Sequence, residues 1–167
     1  MVPRRGDATG APQVRVDCVV TLKTSRGFYC QDAAALWSGI FVHAGSSAPY
    51  LRGLGPGDRV EVDGYVDEHL GQTQIEVEAD REWTDTTQDR VRVVATGVAV
   101  EPLDVDTGVL GGYAQACDQG AEAYEGVLVR VGASTLQGGA DDFGRVGLDD
   151  GSGLTHVDSS GGFDTAA

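Results

Sequence analysis

Lysine is nearly missing from this chain. Lys23 stands alone beside eleven arginines, and 26 acidic residues against 12 basic ones leave a net charge of −14 over 167 residues. A field of that sign repels polyanions over a Debye length of about 8–10 Å, so a nucleic-acid ligand requires a local basic groove that overcomes it. Residues 12–80 carry five Arg/Lys against ten Asp/Glu, net −5, and residues 81–167 carry five against fifteen, net −10, which makes the first half the less hostile. Long apolar runs are also missing: none approaches the roughly 20 residues that cross a bilayer, so no membrane partner is expected. Met1-Val2-Pro3-Arg4-Arg5-Gly6 has two positive charges but no apolar segment behind them, and no signal peptide is read there.

Chemistry-bearing motifs are just as sparse. No Ser/His/Asp or Cys/His set, P-loop or Gly-rich dinucleotide motif is found, and His43, His69 and His156 lack ligand spacing. Asp104-Asp106 and Asp149-Asp150 with Ser152 carry the oxygen ligands that calcium prefers, but without EF-hand spacing, and plain acidic turns account for them. No enzyme activity, cofactor or metal is therefore expected.

What is present is a rhythm. Val14, Val16, Cys18, Val20 and Leu22 alternate with Gln13, Arg15, Asp17, Thr21 and Lys23, with Val19 the one apolar intruder. Successive strand side chains point to opposite faces, so such a stretch predicts a half-buried strand. Four more follow. Residues 28–31 turn Phe28 and Cys30 inward and Tyr29 and Gln31 outward, and residues 39–43 form the third strand. In the fourth, Val60, Val62 and Val66 face in, Arg59, Glu61, Asp63 and Tyr65 face out, and Gly64 breaks the strand at the point where a small barrel needs a bend or bulge. The fifth, 72–78, puts Ile75 and Val77 inside and Gln74, Glu76 and Glu78 outside. Residues 44–58, rich in Gly, Ser and Pro, leave room for one helical turn near Tyr50-Leu51-Arg52. Three strands, a longer connection and two strands is the order of an OB-fold barrel, with an SH3-like barrel the nearest competitor.

Residues 1–12 read as a flexible leader, 13–80 as the barrel and 81–123 as a connecting segment with a strand at Val91–Ala95 and a short helix within 111–123. Residues 124–167 read as a second, incomplete OB-like β unit. There 127–136 echoes 14–22, and 149–157 echoes Gln31-Asp32 with 38–42, without any counterpart of the fourth and fifth strands. Either residues 91–103 help close that second barrel or the chain is a fragment of something longer; the fragment is the preferred reading. The expected class is all-β: a five-stranded OB-like barrel followed by a partial one.

Cysteine is scarce, and its number odd. Cys18 and Cys30 point into the same core from neighbouring strands, so they either form a disulfide or stay as two small buried thiols, and Cys117 is left over. A bridge would imply an oxidising compartment.

The pieces Val19-Val20-Thr21, Gly27-Phe28-Tyr29-Cys30-Gln31-Asp32, Ser38-Gly39-Ile40-Phe41-Val42 and Gly57-Asp58-Arg59-Val60-Glu61-Val62-Asp63-Gly64 occur in that order, followed by Gly71-Gln72-Thr73-Gln74-Ile75 and Tyr124-Glu125-Gly126-Val127-Leu128-Val129-Arg130-Val131. Together they resemble the OB-like modules of large bacterial secreted proteins, often next to endonuclease/exonuclease/phosphatase-type nuclease or lamin-tail domains. The resemblance covers residues 13–78 and part of 124–158. It implies an extracellular or periplasmic location and a nucleic-acid-binding accessory role; the metal-binding carboxylates and histidines of the nuclease have no counterpart, so catalysis does not carry over.

OB barrels bind ligands across strands two and three and the adjoining loops, using aromatics for stacking and basic residues for phosphates. The outward candidates are Lys23, Arg26, Tyr29, Trp37, Phe41, His43, Arg52, Arg59 and Tyr65. Two functions stay open. One is a non-catalytic module contacting single-stranded nucleic acid or another extended polymer. The other is an acidic structural or protein-interaction spacer meeting neighbouring domains, with Phe41 and Trp37 capping the barrel and the charges merely solvated.

Overall fold

The computed structural model describes residues 12–45, 49–77, 90–111 and 120–158. Cys117, Trp83, the leader up to residue 11 and the tail from residue 159 lie outside them. Two compact units divide the chain: Met1–Glu101 with Glu125–Leu128, and Pro102–Tyr124 with Val129–Ala167.

The first unit is a closed five-stranded barrel. Its strands are β1 (Gln13–Lys23), β2 (Gly27–Gln31), β3 (Gly39–His43), β4 (Arg59–His69) and β5 (Gln72–Glu76). β1 pairs antiparallel with β2 and β2 with β3; β3 runs parallel to β5, β5 pairs with β4, and β4 returns to β1. The ring β1-β2-β3-β5-β4, closed through a parallel β3–β5 contact, is an OB-like barrel. The alternation dictates its interior: Cys18, Val20, Phe28, Cys30, Val42, Val60, Val62, Ile75 and Val77 are all buried there. Cys18 and Cys30 are joined as a disulfide, their Cα atoms 5.6 Å apart.

Two local expectations are corrected. Leu22 shares the inward parity of Val20 but is 43% exposed, because the β1–β2 register slips between Val20↔Cys30 and Leu22↔Tyr29. Thr21 is the extra residue of a bulge, and one extra residue turns everything after it to the other face. Gly64 does not break β4. Pairing runs on through Val14↔Gly64 and Tyr65↔Glu76, and the glycine is needed because a Cβ there would lie 2.4 Å from Ile75 Cγ2 and 2.9 Å from Val77 Cγ1. The empty place on β4 admits the β5 side chains into the core.

The connection between β3 and β4 holds a single 3₁₀ turn, Pro49–Arg52, which buries Leu51, with Leu54 buried just beyond it. β6 (Val91–Ala95) pairs with Arg59–Val62 of β4, on the edge that β5 leaves open, so this strand extends the first barrel and does not close a second.

The second unit contains a parallel pair, β7 (Leu103–Val105) with β8 (Val129–Val131), and an antiparallel meander of β9 (Thr135–Gln137), β10 (Arg145–Asp149) and β11 (Leu154–Asp158). Single 3₁₀ turns cover Thr107–Leu110 and Ala121–Tyr124, and no α-helix occurs among the described residues.

Candidate binding faces of the barrel

Alternation places Gly39, Phe41 and His43 of β3, with Tyr29 and Gln31 of β2, on the outside of the barrel, the face across which OB barrels take ligands. Tyr29 and Phe41 meet there with ring centroids 4.8 Å apart, both half-buried. Tyr29 also accepts a hydrogen bond at its hydroxyl from Gln72 Nε2 at 3.3 Å.

The part of this face around Gly39 and Gln31 is covered by the chain itself. A Cβ on Gly39 would lie 2.2 Å from the carbonyl carbon of Gly126, and one on Gly126 would lie 2.8 Å from the Ile40 nitrogen, so two glycine backbones press directly together. Gln31 holds two separate segments: its Nε2 donates to the Glu101 carbonyl at 3.0 Å, and its Oε1 accepts from the Leu128 N–H at 2.7 Å. Glu125 accepts from the Thr73 N–H at 3.3 Å. Gln31 and Gln74 are each only 2% exposed although both point away from the core. Gln74 donates to Asp67 Oδ2 at 3.1 Å, so its amide is not stranded.

His43 does not stand free as a ligand group. It is 7% exposed, and its Nδ1 lies 2.9 Å from Glu76 Oε2. Arg59 binds Asp17 through two contacts of 2.8 Å, Arg15 binds Asp63 in the same way, and Arg92 binds Glu61. These pairs make a ladder on the outer surface of β1, β4 and β6. Hydrogen bonding from Arg59 holds the Asp17 carboxyl below the usual range, and Arg15 does the same for Asp63; both guanidinium groups are raised in return. Tyr65 is half-buried on β4, facing out.

The remaining candidates separate to the two ends of the barrel. At one end Lys23 donates to the Leu51 carbonyl at 3.1 Å and the Arg26 carbonyl accepts from Ala44 N–H at 2.8 Å, which gathers Lys23, exposed Arg26 and exposed Arg52 around the β1–β2 turn and the 3₁₀ turn. At the other end Trp37 projects from the β2–β3 loop, 71% exposed, and so does not cap the barrel. That loop is closed by Ser38 Oγ, which lies 2.6 Å from the Ala33 carbonyl and 2.7 Å from that of Ala35.

In the second unit the acidic turn considered for calcium is occupied by the protein's own donors. The Thr107 hydroxyl lies 2.8 Å from Asp150 Oδ1 and 2.6 Å from the Gly153 carbonyl, while the Thr107 N–H donates to Asp150 Oδ2 at 2.9 Å and the Ser152 N–H to Oδ1 at 2.9 Å. The Ser152 hydroxyl and these donors hold the Asp150 carboxyl far below the ordinary range. Asp104 pairs with Arg130 at 3.4 Å, and no cluster of three or more metal-ligating side chains occurs among the described residues. No helix among them is long and apolar enough to cross a membrane.

A scan against protein-family models, a search of curated proteins and a search of solved structures each return no match to this chain.

Proposed function

We propose that this chain is a non-catalytic OB-barrel binding module whose partners are proteins, working in an oxidising extracellular or periplasmic setting. The observation that carries the reading is the Gly39–Gly126 contact. On the face that OB barrels lay against a single strand, the part around Gly39 and Gln31 is occupied by Glu125–Leu128, and Gln31 fastens Leu128 there. The ion-pair ladder supports it, since Arg15, Arg59 and Arg92 spend their charge on carboxylates and offer little to a phosphate backbone. The Cys18–Cys30 disulfide supports the compartment.

A second reading, contact with single-stranded nucleic acid or another extended polymer, draws on the Tyr29–Phe41 pair and on Lys23, Arg26 and Arg52 at one end of the barrel. A titration of labelled single-stranded DNA at low salt separates the two. The proposal expects flat anisotropy. Saturable binding that weakens steeply with salt and disappears in Tyr29→Ala would replace it with the second reading.

A further inference from the structure

Among the described residues only two that are not glycine hold a positive φ: Trp37 at 63° and Leu70 at 54°. A bulky side chain in left-handed backbone is costly, and Asn or Gly is the ordinary occupant of such a place. Leu70 and Gly71, with φ of 54° and 84°, form the two-residue turn between β4 and β5, where Asn-Gly is the preferred pair. Both residues also break the burial rule: Trp37 is 71% exposed and Leu70 95%. A strained backbone that delivers an apolar side chain to water serves neither folding nor solubility, and such outliers mark functional sites.

The topology brings the two loops to one end of the barrel. β3 and β5 are parallel neighbours in the register Phe41↔Gln74, so Gly39 lies beside Gln72. Trp37 stands two residues before Gly39 and Leu70 two residues before Gln72, so both loops leave the barrel at the same end. Leu36, also exposed, adjoins Trp37. The surrounding charge has one sign: residues 31–38, 66–74 and 125–128 contain Asp32, Asp67, Glu68 and Glu125 and no Lys or Arg.

We infer that this end of the barrel is the docking surface, and that its occupant is a protein segment carrying an apolar centre between Lys and Arg residues. Trp37 and Leu70 supply the apolar anchors that carry most of an interface's free energy, and the four carboxylates select a basic rim. Nucleic acid and anionic lipid are refused by the same carboxylates, and a second copy would bring its own. The inference rests on the protein-binding reading above and names its site and partner chemistry.

The test is calorimetric titration of the full chain with a short synthetic peptide holding a Leu-Ile-Phe centre between Lys/Arg ends. Parallel arms use the same centre between Asp/Glu ends, labelled single-stranded DNA, and phosphatidylglycerol vesicles. Only the cationic peptide is expected to bind, and Trp37→Ala and Leu70→Asn each weaken it by about tenfold or more. Neither substitution changes the net charge, so diffuse attraction to an acidic protein would survive both. Leu70→Asn is further expected to raise the melting temperature by about 2–6 °C by relieving the turn, so that binding and stability move in opposite directions. A purely structural leucine would lower both. Peptide binding untouched by either substitution moves the site elsewhere and overturns this inference while leaving the protein-binding reading standing. Binding of DNA or vesicles that depends on Trp37, or self-association in sedimentation that does, overturns the assigned occupant. No binding by any probe overturns the inference outright.

Discussion

In the barrel, Val20, Phe28, Val42, Val60, Val62 and Ile75 lose nearly all contact with water, whereas in the second unit the side chain buried most completely among the described residues is a threonine. Thr107 is held by Asp150, Gly153 and the neighbouring Ser152, and the one buried hydrophobe of that unit among the described residues is the small Ala123. The two arrangements fail differently. Apolar burial is non-directional and tolerates exchanges of similar volume. A polar knot is directional: each donor satisfies one acceptor, and deleting one partner strands another. The same chain thus contains one unit secured by volume and another secured by geometry.

The largest expected effect falls on the barrel. Phe28→Ala removes the largest fully buried side chain among the described residues and should destabilise that unit by about 3–5 kcal/mol, measured by denaturant unfolding. Amide signals of Thr107 and β9–β11 should persist at denaturant concentrations where those of β1–β5 have gone. A single shared transition in wild type and variant would break the comparison, because the units would then fold as one. Next comes the disulfide. It links residues 12 apart in sequence, and its removal in a Cys18→Ala/Cys30→Ala chain should cost the barrel about 2–4 kcal/mol and leave the second unit's transition in place.

Thr107→Val comes third and tests the other side. It keeps the shape and deletes the hydroxyl, leaving Asp150 N–H, which donates to it at 3.1 Å, without that acceptor. The second unit should lose about 1–3 kcal/mol and the barrel nothing, while Thr107→Ser recovers most of the loss. Equal tolerance of Val and Ser would mean that the knot contributes no more than its volume.

The barrel was legible in the sequence and the knot was not, for one physical reason. Strand alternation is written locally: Val16, Cys18 and Val20, or Val60 and Val62, announce a buried face within a few residues. The Thr21 bulge escaped because nothing in Val20-Thr21-Leu22 distinguishes an extra residue from a regular one; only the partner strand counts it. Parity predicts that Gln31, His43 and Gln74 face solvent; it gives their direction away from the core but not their burial. What covers Gln31 lies 70 and 97 residues away in sequence, and Thr107 meets Asp150 across 43. Pairings at that distance leave no period to detect. The unusual left-handed backbone of Trp37 and Leu70 was equally silent, although a Leu-Gly pair between two alternating stretches, where Asn-Gly is the common choice, was a usable signal.

Acid should separate the two units by the smallest margin. The Arg145 side chain and backbone hold Asp141 down at about 2, and Ser152 and Thr107 hold Asp150 lower still, against about 3.9 for a free aspartate. A carboxyl whose folded pKa is depressed contributes stability that is fully present above its unfolded value and lost as pH falls through its folded one. The second unit should therefore weaken progressively below about pH 4 and most steeply toward pH 2. The barrel has lowered carboxylates too, at Asp17 and Asp63, so it weakens in the same direction, but most of its stability comes from an apolar core that takes up no proton. In an acid titration followed by NMR, signals of β10 and β11 should fade before those of β1–β5. The interval should be modest because Asp141 and Asp150 remain open to solvent screening. Asp150→Asn should flatten the acid dependence of the second unit alone. Fading of the barrel first, or of both units together in the variant as in the wild type, would show that the knot's geometry does not depend on its charge.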